Sequence, residues 1–156
     1  MIQNYIQAVN AKFVTGKTTE HSFRGDLQSL VESIIGSGYM VINEPKRQRC
    51  GAPDYIIEKN SIPIGFIEAK DIGDTDLEGK KKTGNKEQFD RYKASLNNIV
   101  FTNYLDFYFY QESELVAKIS IAEISGNQIK ALIYAELSGD FPLGDSRQPI
   151  YKSLRP

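Results

Sequence analysis

Apolar residues recur at helical spacing in the first segment, where Ile2, Tyr5, Ile6, Val9 and Phe13 share one face and Gly16 stands where the turn would end. The spacing predicts a short amphipathic helix. A second stripe, Phe23, Leu27, Leu30, Val31, Ile34 and Ile35, predicts another, capped by Thr18 or Thr19 and ended by Gly36 and Gly38. The pattern then shortens into strand-length runs. Residues 39–43 read as one strand, and 54–59 and 62–70, joined by Asn60 and Ser61, read as a hairpin. Acids, consecutive lysines and glycines crowd residues 71–86, which predicts an exposed loop. A helix is expected over 86–96, strands over 98–103 and 105–110, and a further alternating strand over 115–124. The aromatic run Tyr104, Phe107, Tyr108, Phe109 and Tyr110 fits a core strand better than a base-stacking platform. Beyond Gly126 the pattern lapses. This order predicts an α/β sandwich, a mixed β-sheet flanked by helices, with a core over 1–125 and an extension or linker over 126–156.

Composition narrows the class. With 156 residues, 40% of them apolar and 25% charged, the chain has the make-up of one globular domain. At this size roughly 68–70% of the unfolded surface is buried on folding, which is enough without metal or disulfide staples. Cys50 is the one cysteine, which excludes an internal disulfide framework and allows a reducing compartment. No apolar run reaches the ~18 residues of a membrane span, and the amphipathic first segment differs from a signal peptide. The expectation is a cytoplasmic protein with no membrane partner. A net charge of −1 leaves any nucleic-acid contact to local clusters. Two qualify: Lys46, Arg47 and Arg49, and Lys80, Lys81, Lys82 and Lys86. The second adjoins Asp71, Asp74, Asp76 and Glu78, so it also reads as an ordinary solvated surface.

Candidate chemistry gathers on the predicted hairpin. Asp54 opens one strand, while Glu68, Ala69 and Lys70 close the next; two-residue periodicity sends Glu68 and Lys70 to the face opposite Ile67 and Ala69. A register that sets Asp54 beside Glu68 brings two carboxylates and an ammonium together. The acids repel, and a divalent cation relieves them by taking both as oxygen ligands. Mg²⁺ suits a site of one or two carboxylates plus a substrate phosphate, and the reaction that follows is phosphodiester hydrolysis. Asp54 and Glu68 are then the ligands, the Ala69 carbonyl a third, and Lys70 the group that orients or helps deprotonate water. Glu20 shares the buried face of the second helix, where a carboxylate needs a partner or a metal; alternatively it sits in the favourable first turn. The same letters also fit a plain hairpin in which Asp54 caps a turn and Glu68 and Lys70 face solvent. Gln88 and Tyr92, four apart and aligned with Leu96, project from one helix face towards the sheet, or serve as a surface residue and a core aromatic. His21 has no second His or Cys to complete a zinc site, and Cys50 reads as a packing residue.

Taken together, Gly51-Ala52-Pro53-Asp54, Ile67-Glu68-Ala69-Lys70 and Gln88-x-x-x-Tyr92 resemble the PD-(D/E)XK nuclease superfamily, in the subgroup with a Q-x-x-x-Y motif after the catalytic strand. The segments 19–24, 43–55, 67–73 and 87–110 further resemble the N-terminal nuclease domain of type ISP restriction enzymes, a likeness covering about residues 1–125. The resemblance implies a restriction-endonuclease-like core and a DNA substrate, with Mg²⁺, or Mn²⁺ in its place, on Asp54 and Glu68. It makes Lys70 the catalytic lysine, Glu20 an additional acid, and Gln88 and Tyr92 supports of the site or contacts to the DNA backbone. It also implies further domains in the same polypeptide (ATP-dependent translocase, adenine methyltransferase and target recognition) and a second enzyme copy for double-strand cleavage. No ATPase or methyltransferase motif occurs in these 156 residues, so sequence specificity does not carry over. The expectation is a metal-dependent endonuclease domain. The alternative is a DNA-binding or docking module that keeps the fold without cleaving, and a stand-alone nuclease is a weaker third reading.

Overall fold

A computed structural model describes residues 1–46, 51–80 and 84–132. In chain order these form α1 (Ile2–Phe13), a single 3-10 turn (Glu20–Phe23), α2 (Arg24–Ile35), β1 (Tyr39–Asn43), β2 (Tyr55–Lys59) and β3 (Ile62–Ala69). There follow α3 (Gly84–Ser95), β4 (Asn98–Thr102), β5 (Asp106–Gln111), β6 (Glu114–Ser120), β7 (Ala122–Ser125) and β8 (Gln128–Ala131).

Strands β1 to β6 make one sheet in sequence order, and β7 with β8 makes a separate hairpin. All neighbours in the large sheet are antiparallel except β3 and β4. A parallel pair needs a crossover, and α3 supplies it. Between β2 and β3 the chain reverses at Asn60 and Ser61, both with positive φ (52° and 62°), the backbone of a tight hairpin turn.

Strand alternation divides the core between the two faces of this sheet. On one face Tyr55, Ile67 and Ala69 meet Tyr5, Ile6 and Val9 of α1 and Leu27 and Leu30 of α2. Across the sheet Ile99, Phe101 and Tyr110 pack against Phe89, Tyr92 and Leu96, with Phe89 and Phe101 centroids 4.0 Å apart. Glu68 opposes Phe101 in the β3–β4 register, which assigns its side chain to the α3 face. The architecture is the expected one, a central mixed sheet flanked by helices.

Several local expectations change. Residues 71–80 are not an exposed loop: Leu77 is 1% exposed inside the α3-side core. Two of the four acids that suggested solvation instead bind backbone, Asp74 Oδ1 accepting from Asp76 N–H and Asp76 Oδ1 from Lys80 N–H, both at 2.8 Å. One apolar anchor and two such turns organise the segment locally. The strand expected over 115–124 is two strands, β6 ending at Ser120 and β7 starting at Ala122, with the Ile121 N–H turned to Leu105 O. Past Gly126, β8 carries the buried Ile129 back onto α1, where Asn10 Oδ1 accepts its N–H at 2.7 Å. The packed body therefore continues to Ala131, and residues 133–156 lie outside the described part. Thr19 precedes the 3-10 turn, with the Ser22 hydroxyl accepting its N–H, and α2 itself begins only at Arg24. Among the described residues no helix is long and apolar enough to cross a membrane.

Candidate active site

The hairpin register builds one half of the site. Tyr55 opposes Ile67, so Asp54 falls beside the end of β3, where its Oδ2 accepts the Ala69 N–H at 2.8 Å. Lys70 continues β3 by donating its backbone N–H to Thr102 O at 2.8 Å, which holds its side chain on the Glu68 side. Its Nζ donates to Glu68 Oε1 at 2.8 Å.

Helix α3 supplies the next layer. Gln88 donates through Nε2 to Glu68 Oε1 at 2.9 Å and accepts Lys70 Nζ through Oε1 at 3.0 Å. Because one end of the amide gives and the other receives, these bonds define its orientation. Tyr92 OH lies 3.4 Å from Gln88 Nε2, and Lys70 Nζ is 5.5 Å from the Phe89 ring centroid. Gly51 has φ of +130°, and a Cβ there would sit 2.9 Å from both Cε1 and OH of Tyr92. Only glycine lets the backbone pass so close.

The 3-10 turn and the start of α2 build the other half. Buried hydroxyls anchor them: Tyr104 donates to Glu20 O at 2.8 Å and Tyr55 donates to Arg24 O at 2.9 Å. Burial pushes both phenols well above their ordinary range, so they remain donors. Thus positioned, Arg24 spreads its guanidinium over three acids. It donates to Asp54 Oδ1 at 2.5 Å, Glu20 Oε1 at 3.1 Å and Glu44 Oε1 at 2.8 Å. Burial alone lowers the Arg24 pKa, but Asp54 and then Glu20 more than reverse this, and the net shift is upward. Sequence reasoning assigned no role to Arg24 or Glu44. The signal for Arg24 was its place one turn after Glu20; Glu44 gave none.

Glu68 is strongly perturbed as well. It is 3% exposed, and its pKa is pushed up to about 7, first by burial and next by Asp54, with Lys70 offsetting only part. Oε1 receives both Lys70 and Gln88, whereas Oε2 is buried with no hydrogen-bond partner among the described residues. A buried acid with a bare oxygen beside a second acid fits a hard divalent cation, which takes a few carboxylate oxygens and keeps waters. The donor set is small: among the described residues no group of three or more Asp, Glu, His or Cys side chains is placed to hold a metal. Glu20 reaches Asp54 through Arg24.

The basic clusters are only partly described. Lys80 pairs with Glu78 at 2.5 Å, and Lys118 also bonds Glu78, holding that carboxyl below its usual range. Lys46 is described, while Arg47, Arg49, Lys81, Lys82 and Cys50 lie outside the described residues. His21 is exposed, with Nδ1 3.9 Å from Glu44 Oε1.

No family model matches the chain, and no curated protein matches its sequence. Among solved structures the chain is similar to one determined by cryo-electron microscopy, a DrdV–DNA complex, with a TM-score of 0.58 and 23% sequence identity over 76% of this chain. The match spans 12% of the DrdV chain. The likeness is one of fold, and the α/β core is restriction-endonuclease-like.

Proposed function

We propose that this chain is a metal-dependent DNA endonuclease domain that hydrolyses phosphodiester bonds without sequence preference of its own. The observation that carries the reading is the Glu68 carboxylate, buried beside Asp54 with Oε2 open while Lys70 and Gln88 occupy Oε1. The fold shared with a DNA-bound protein supports DNA as the partner.

Asp54, Glu68 and the Ala69 carbonyl would hold Mg²⁺, or Mn²⁺ in its place, with Glu20 as a further acid once it parts from Arg24. When bound, the ion lowers the pKa of a coordinated water and neutralises charge growing on the phosphate. The chain's own groups do the rest. Lys70 spends two of its three donor directions on Glu68 and Gln88, leaving one for the attacking water or a phosphate oxygen. Gln88, braced by Tyr92, fixes the ammonium's direction, so that donor arrives aligned. Lys46, Arg47, Arg49 and Lys80 to Lys82 would meet the DNA backbone.

The wider reading is the nuclease domain of a type ISP restriction enzyme. The chain beyond the packed body would lead towards translocase, methyltransferase and target-recognition domains of the same polypeptide, and a second copy would complete a double-strand cut. Nicking of supercoiled plasmid with Mg²⁺ or Mn²⁺ tests the core claim. It is expected for the wild type and absent in Asp54→Ala, in Lys70→Ala and with chelator. A second reading, a module that holds DNA without cutting it, draws on the Arg24 guanidinium already seated on Asp54 at 2.5 Å. DNA binding with neither nicking nor Asp54-dependent Mg²⁺ binding would establish that reading and exclude the nuclease.

A further inference from the structure

We propose that Arg24 is a built-in counter-cation of the metal site, which competes with the metal for Asp54 and must give up Asp54 for the metal to load. The inference rests on the metal-nuclease reading and adds to it a competition between guanidinium and metal for Asp54.

Three features point to this. Asp54 has both oxygens engaged, Oδ2 with the Ala69 amide and Oδ1 with the Arg24 guanidinium. The Ala69 donor is a backbone N–H fixed at the end of β3, whereas the Arg24 donor is a side chain that can turn, so Oδ1 is the oxygen that can be freed. Second, the guanidinium is bound asymmetrically. Its two terminal nitrogens reach three carboxylates, while Nε is buried with no acceptor among the described residues. A buried donor without a partner costs about 1–3 kcal/mol, which a purely structural arginine ordinarily avoids. Third, one of the three acids, Glu44, lies at the surface with 67% of its side chain exposed. It gives the guanidinium an outward anchor, on which Arg24 can pivot from Asp54 without leaving its ion pair.

Charge sets the direction of the effect. Among the described residues Arg24 pairs with Glu20, Glu44 and Asp54, and Lys70 pairs with Glu68. A divalent cation arriving beside Asp54 meets the Arg24 charge at close range and must displace it from a lone pair. Removing that charge leaves the ligands in place and more negative, so the metal binds more tightly. An arginine that merely held the acids in position would act the other way, since its loss would scatter them and weaken binding.

Calorimetric titration of Mg²⁺ into the full chain without DNA is the test, on the wild type, Arg24→Gln, Arg24→Lys and Asp54→Ala. Arg24→Gln is expected to bind Mg²⁺ roughly tenfold tighter or more than wild type. Arg24→Lys, which keeps the charge but cannot fork across two acids, is expected in between. Unchanged or weaker affinity in Arg24→Gln with native circular dichroism would overturn the proposal while leaving Asp54-dependent binding, and the nuclease reading, intact. Absence of Asp54-dependent Mg²⁺ binding in every variant would bring both down. The wild type gives a second measurement that needs no stable variant. The Arg24 Nε–Hε resonance, identified by its loss in Arg24→Lys, is expected to move as Mg²⁺ binds, and a fixed resonance at saturating Mg²⁺ would refute the displacement.

Discussion

Replacing Glu68 by glutamine separates the energetic cost of the buried acid from its use. In the folded chain Glu68 titrates at about 7 against an ordinary 4.5, because it is buried and stands beside Asp54. Between those values the folded state keeps a proton that the unfolded chain has released, so stability is full below pH 4.5 and is lost as the pH rises through 7. A displacement of this size corresponds to about 3 kcal/mol, a large share of the 5–15 kcal/mol typical of a domain. Glu68 is almost fully buried, so solvent screens little of it. In Glu68→Gln the carbonyl oxygen can still accept from Lys70 and Gln88, but the new amide nitrogen takes the place of the unpartnered Oε2. That buried donor costs about 1–3 kcal/mol at every pH and cancels from a comparison of slopes. Urea unfolding in chelator at pH 5, 6, 7 and 8 is the assay. The wild type is expected to lose about 2–3 kcal/mol relative to the variant between pH 5 and pH 8, part of the full effect having gone already by pH 5. Parallel curves would show that Glu68 ionises in the fold as easily as in the open chain, and would remove the electrostatic argument for a cation. With saturating Mg²⁺ the wild-type curve should flatten above pH 7, since ligand binding to the folded state offsets the cost.

Further substitutions probe the supports of the site. Leu77→Ala is expected to cost about 2–5 kcal/mol in chemical denaturation, because Leu77 is a full member of the α3-side core; a change below about 0.5 kcal/mol would return residues 71–80 to an exposed loop. Gly51→Ala places a Cβ 2.9 Å from Tyr92 at a φ of +130°, with an expected loss of about 1–3 kcal/mol and a shifted Tyr92 ring resonance, and an unperturbed ring would contradict the close approach. Tyr104→Phe removes the hydroxyl that holds Glu20 O and is expected to cost about 1–2 kcal/mol; a neutral result would mean that the 3-10 turn is held by other contacts.

Periodicity and short-range spacing alone determined much of this protein. The stripe from Ile2 to Phe13 became α1, the runs either side of Asn60 and Ser61 became β2 and β3, and the change to strand-length runs indicated an α/β sandwich. The common face of Glu68 and Lys70 follows from strand geometry, and the alignment of Gln88 with Tyr92 from helix geometry; both are properties of a few consecutive residues. Where one residue supplied the anchor, the pattern misled. Leu77 among four acids reads as solvated until it is seen between α3 and the sheet, and Ile129 is one apolar residue in a weak pattern until α1 covers it. What only the tertiary structure decided was which charges meet. Arg24 and Asp54 are thirty positions apart, and Glu20 and Tyr104 eighty-four, joined only because the sheet and α2 pack together. Secondary-structure periodicity records which way a side chain points relative to its own neighbours; the partner at the end of a long-range hydrogen bond, and hence the state of Glu68 and of Arg24, is set by the packing of elements whose sequences carry no record of one another.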